Sequence, residues 1–223
     1  MELKPISIAE AARYMGVEGE PQGSTAELLR RCEELVRRSV RPVYVYRECG
    51  IVRTESGELH LEGTEIQLTG NDIRRHLQHC SRAAVLAATL SVEADKLIRQ
   101  AQVRDMAEAL AVDSLCSAAV EQVCDEAERE IFSGRENEYR TWRFSPGYGD
   151  FPIESQKSIL NALNAQRRAG LTVTDSYLML PTKSVTAIIG ISDEPFSREP
   201  NGCDACRLKG RCAYAVNGGC GKT

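Results

Sequence analysis

The spacing of apolar positions changes repeatedly along the chain, and each change marks a new element. Over residues 24–40, Leu28, Leu29, Cys32, Leu35 and Val36 recur at three- and four-residue steps with charge on the opposite side. That pattern predicts an amphipathic helix with Cys32 in its packing face. Pro42 closes the helix, and "VYVYREC" (residues 43–49) alternates in the manner of a strand. Short strands follow, joined by turns at Ser56-Gly57 and Glu62-Gly63. Helices are predicted over residues 7–16, where Ser7 supplies a cap, and over 69–80. "AAVLAATL" (83–90) reads as a buried strand and "VEADKLIRQA" (92–101) as a helix.

The longest pattern runs from about 103 to 132. Its apolar stripe is Val112, Leu115, Cys116, Ala119, Val120, Val123, Ala127 and Ile131, which puts Cys116 and Cys124 in the packing face. A helix over 154–165 and a β-rich stretch over 171–192 complete the series. Strands and helices mix without a regular βαβ rhythm, and neighbouring strands are hairpin-like. The predicted fold class is α+β, a mainly antiparallel twisted sheet with packed helices.

Composition narrows the function classes. A net charge of −4 and a pI near 5.6 argue against a nucleic-acid partner, which calls for a basic face. The longest apolar run is too short to span a bilayer, and the N-terminus shows no secretory pattern, so no membrane association and a cytoplasmic location are expected. Cysteine usage is uneven. Cys32, Cys49, Cys80, Cys116 and Cys124 are scattered, whereas Cys203, Cys206, Cys212 and Cys220 cluster after a linker with two prolines. Four thiolates spaced x2, x5 and x7, with glycines between them, suit tetrahedral zinc or an iron–sulfur cluster; the alternative is a tail with incidental thiols.

Two further features could carry chemistry. Asp113, Ser117 and Glu121 stand four apart on the long helix and line one edge of it. They form either a solvated edge beside a tight contact or a carboxylate presented to a cation. "RFSPGYGDFP" (143–152) is too rich in proline and glycine for helix or central strand. It is either a structural turn with a surface arginine or a rigid loop. As a rigid loop it presents Arg143 to a carboxylate and the Tyr148 ring to a flat or cationic group, with the backbone at Gly147 and Gly149 open. Glu121 and Arg143 together would suit a zwitterionic amino-acid moiety. His76 and Cys80 lie one turn apart, which more simply places a histidine at a helix C-terminus than at a metal. No Gly-rich phosphate loop, G-x-S-x-G elbow or H-E-x-x-H is present.

These residues resemble the activation domain of cobalamin-dependent methionine synthase. That family carries an R-x-x-x-G-Y loop, matched by Arg143, Gly147 and Tyr148, and then a segment L-T-x-[ST]-x-x-M-x-P-x-x-S-V. Leu171, Thr172, Met179, Pro181, Ser184 and Val185 match the second motif. The resemblance implies an activation domain-like fold over residues 1–97 and 98–192, with the S-adenosylmethionine-binding part in the latter and a Cys-rich tail at 193–223. It nominates Glu121, Arg143, Gly147 and Tyr148 as ligand-binding residues. It implies a role in returning cob(II)alamin to methylcobalamin on a separate cobalamin-dependent methionine synthase or related corrinoid protein. One electron would come from a flavodoxin or ferredoxin-type donor. No cobalamin-binding module is read in these residues, so action on a separate corrinoid protein is expected, and the cysteine tail stands where the family has a C-terminal extension.

Overall fold

Each helix starts and stops where local chemistry allows. The structure, a computed structural model, describes residues 1–17 and 19–197. The first helix, α1 (Ile8–Tyr14), is capped by Ser7, whose hydroxyl accepts from the Glu10 amide at 3.2 Å. Next come α2 (Gly23–Ser39), β1 (Val43–Arg53), β2 (Leu59–Leu61), α3 (Asn71–His76) and β3 (Arg82–Thr89). Two helices, α4 (Val92–Arg104) and α5 (Met106–Ile131), follow. The short β4 (Tyr139–Arg140) leads to α6 (Ser155–Ala162), α7 (Ala165–Ala169), the hairpin strands β5 (Thr172–Val173) and β6 (Met179–Leu180), and finally β7 (Ser184–Ser192).

Several boundaries depart from the sequence pattern, each for a local reason. The long helix begins at Met106 because Asp105 is extended and its carboxylate accepts from the Glu108 amide at 2.8 Å, so Val103 and Arg104 end α4 instead. The helix expected over 69–80 covers only Asn71–His76, which leaves His79 and Cys80 outside it. Asn164, in the left-handed region, separates α6 from α7 where one helix was expected. The strand expected to end at Cys49 continues to Arg53.

Five strands form one sheet in the order β2-β1-β3-β7-β4, and β5 pairs with β6 separately. Every pairing is antiparallel, as the α+β expectation required. Central β3 meets β1 through pairs such as Tyr46↔Leu86 and β7 through Leu86↔Ala187. Alternation then divides the core. Leu86 and Ala88 face α1, α2, α4 and α5, while Ala83, Val85 and Ala87 face α3, α6 and α7. Covered on both faces, β3 is apolar without a break, which is why its period was invisible in the sequence. The α5 stripe from Val112 to Ile131 is buried, and each fully buried leucine or valine contributes about 1.5–3 kcal/mol. Cys32, Cys116 and Cys124 all lie in this core.

Candidate functional site

The chain after β4 stays on the sheet edge, and that fixes which way each side chain faces. The Thr141 amide donates to the Gly190 carbonyl at 3.0 Å, and Phe144 exchanges both backbone bonds with Ile188 at 2.9 Å. Between these anchors alternation sends consecutive side chains to opposite faces. Phe144 packs toward α3, with its ring 4.9 Å from that of His76 and 6.3 Å from that of Phe151. Arg143 goes to the other face and meets α5.

On α5, Glu121, Asp125 and Glu128 occupy positions i, i+4 and i+7, hence one side of the helix. All three close on Arg143. Its Nη2 donates to Glu121 Oε2 at 3.0 Å, and its Nη1 donates to Asp125 Oδ1 at 2.7 Å and to Glu128 Oε2 at 3.1 Å. The Arg143 side chain is only 13% exposed. Burial works against its charge, but the surrounding anionic groups outweigh burial and raise the pKa, so the guanidinium is permanently cationic. Glu128 is also ion-paired with Arg140, whose Nε lies 3.0 Å from Glu128 Oε1. Nearby on α1, the Glu10 carboxyl is pushed up, first by burial and then by the fields of Glu121 and Asp125, the latter two against the opposing effect of Arg13.

Further along the same edge, Asp113 and Ser117 meet a cation from a different element. Lys183 Nζ lies 2.9 Å from Asp113 Oδ2 and donates to Ser117 Oγ at 2.9 Å. The hairpin before β7 is also tied to α4, since the Thr182 amide donates to the Asp95 carboxylate at 3.1 Å. The edge of α5 therefore carries two charge contacts in line, one to Lys183 and one to Arg143.

The glycine-rich loop divides its work. Part of its amide set is spent internally: Gly147 N–H donates to the Phe151 carbonyl at 2.8 Å, Tyr148 N–H to the Ser145 carbonyl at 3.2 Å and Phe151 N–H to the Tyr148 carbonyl at 3.0 Å. Tyr148 stands outward, 68% exposed, at the crest of this turn. The Asp150 carboxylate turns away from the arginine and accepts from the amides of Asn71 and Asp72 at 2.8 and 2.9 Å, capping α3. Two glycines permit that approach. Gly149 has φ +57° and a Cβ there would strike the Asp72 carboxylate, while Gly70 has φ +122° with the Asp150 carbonyl 2.7 Å from its would-be Cβ.

Of the nominated ligand residues, Glu121 and Arg143 thus face each other directly, and Gly147 and Tyr148 form the turn that follows Arg143. Asp125, Glu128 and Lys183 were not singled out from sequence. Continuing the four-residue Asp113–Ser117–Glu121 step along the helix would have reached Asp125, and Glu128 lies three residues beyond it on the same side. The His76 ring nitrogen Nε2 lies 2.8 Å from the Trp142 carbonyl oxygen, so His76 braces the loop from the α3 side. Among the described residues no group of three or more His, Cys, Asp or Glu is disposed to hold a metal. Cys203, Cys206, Cys212 and Cys220 lie outside the described residues. Among the described residues no helix is long and apolar enough to cross a membrane.

The fold has counterparts among known proteins. A solved structure described as "Crystal Structure of the MetH Reactivation Domain bound to AdoHcy" superposes with a TM-score of 0.65, covering 86% of this chain and 75% of that one at 14% identity. At that identity the likeness shows a shared fold. No curated protein matches the chain. Residues 87–196, which run from the last residues of β3 through α5 and the arginine loop to β7, match the family described as "Vitamin B12 dependent methionine synthase, activation domain". Over that segment, just under half of the chain, the protein is similar to the activation domain of vitamin B12 dependent methionine synthase.

Proposed function

We propose that the protein binds S-adenosylmethionine and presents it to a corrinoid carried by a separate cobalamin-dependent methionine synthase. In this reading Glu121 receives the ligand's ammonium group and Arg143 its carboxylate. Gly147 and Tyr148 shape the turn beside them, with the Tyr148 ring available to cover the ligand. The observation that carries the reading is the delivery of Arg143, by a loop with the family's Arg-x-x-x-Gly-Tyr pattern, onto the acidic edge of α5 at 3.0 Å from Glu121. The adenosylhomocysteine named for the similar reactivation domain supports the ligand class. The chemistry is positioning: cob(II)alamin gains one electron from a flavodoxin or ferredoxin-type donor, the resulting cob(I)alamin takes the sulfonium methyl, and S-adenosylhomocysteine leaves. No side chain of this chain is required as an acid or base.

Calorimetric titration of S-adenosylmethionine tests the assignment. Saturable binding is expected in the unmodified protein, with a loss of about tenfold or more in Glu121→Gln, which removes the charge-assisted contact to the ammonium group, and a changed affinity in Arg143→Ala, which removes the carboxylate's partner and leaves three carboxylates unpaired. Unchanged affinity in both variants would remove the site from this edge.

A second reading rests on the spacing of the tail cysteines. Cys203, Cys206, Cys212 and Cys220 would hold zinc for docking, or an iron–sulfur cluster that relays the electron itself. Metal analysis with visible absorbance after anaerobic purification separates these: a brown, iron-containing protein supports the relay, and a colourless zinc protein the docking role.

A further inference from the structure

Resting on that ligand assignment, we infer that Asp125 is a resident counter-anion that occupies the carboxylate position of Arg143 and sets how strongly the site recognises a ligand's carboxylate. A ligand carboxylate taken end-on needs one N–H from each terminal nitrogen, and Nη1 of Arg143 already spends both its hydrogens on Asp125 and Glu128, while Nη2 gives one to Glu121. For that docking a carboxylate on Nη1 has to yield.

Their surroundings identify which. Glu128 is held from two sides, by Arg143 at 3.1 Å and by Arg140 at 3.0 Å, and is 20% exposed. Glu121, 30% exposed, sits on the other terminal nitrogen, where it remains free to share an ammonium group. Asp125 is 50% exposed and, among the described residues, pairs with Arg143 alone. Swung outward, its carboxylate regains water and leaves no other cation unpaired. An incoming carboxylate then replaces it like for like: the same charge and the same donor at the same distance.

Such an exchange yields little net gain, because Asp125 is tethered to α5 and competes at high effective concentration. The wild-type site is therefore read mainly through the ligand's cationic and ring parts. Removal of Asp125 converts Arg143 into a receptor for the carboxylate.

The test compares two ligands that differ only in that group, S-adenosylmethionine and its decarboxylated analogue, titrated into wild type and Asp125→Ala. Loss of a nearby negative charge weakens both cations alike, so the ratio of affinities isolates the carboxylate. Near-equal affinities are expected in wild type and a preference of about tenfold for S-adenosylmethionine in the variant. A large preference already in wild type, or an unchanged ratio, overturns the inference. The Arg143 side-chain NMR signal, followed while acetate is added to each protein, separates the two claims. If neither nucleoside binds but acetate shifts that signal only in Asp125→Ala, the ligand assignment falls and the counter-anion role stands. If acetate shifts it in neither protein, both fall. Equal thermal midpoints for the two proteins establish that the variant is folded.

Discussion

At the scale of single residues, the protein keeps its reactive groups in strongly contrasting environments. Arg143 is buried yet charged because three carboxylates surround it. The five thiols of the described residues are buried and unpaired, and burial alone accounts for most of their behaviour. It pushes Cys80 up to about 11 and Cys116 up to about 12, and it raises Cys32, Cys49 and Cys124 as well. Thiolate, not thiol, attacks disulfide reagents, so these sulfurs are chemically silent in the folded state. A native-state thiol titration at pH 8 should therefore count no more than four of the nine cysteines, with the remainder appearing only in denaturant. A fifth fast-reacting sulfhydryl before unfolding would mean that one of the packed helices opens readily.

Among elements, the informative contact is the one between the arginine loop and α3. Asp150 closes the N-terminus of a six-residue helix that is too short to hold itself. Asp150→Ala should cost about 1 kcal/mol, within the range for a lost N-cap, measured as a lower urea midpoint. This contact also shows what the sequence concealed. Helices whose apolar stripe faces one core were legible from spacing, α2 within a residue at each end and α5 at its C-terminal end, its start lying three residues later than the pattern suggested. Strand β3 was legible as a buried run, though not its partners, because an uninterrupted apolar segment carries no face. That Glu121 and Arg143 share one site was legible as complementary charge, though not that they bond to each other. The company of Asp125 and Glu128 was not, because three carboxylates around one arginine is an outcome of the crossing between α5 and the sheet edge. Nor was the use of the loop's own amides, since a Pro-Gly-Tyr-Gly sequence fits an open turn and a closed one equally well.

For the molecule as a whole, the sheet joins what the chain order separates. β1, β2 and β3 come from the N-terminal part, β4 and β7 from the part with the arginine loop, and β3 against β7 is the seam between them. Leu86, at the middle of β3, is fully buried against the α5 layer. Leu86→Ala should cost about 2–5 kcal/mol in urea unfolding, the range for a core leucine whose surroundings relax only partly. A smaller loss would indicate that the α5 layer can settle into the space.

That seam has a consequence for the chain while it is being made. β7 is the last element among the described residues, and Thr89 waits for Ser184, Arg82 for Ile191. Until the ribosome has released that strand, one edge of β3 is bare, although Ala83 to Thr89 are all destined for burial. The α4–α5 pair can cover one face in the interval, but nothing yet occupies the edge. Nascent chains stalled between α5 and β7 are thus the form most exposed to sticking to one another, and the form a chaperone would need to meet.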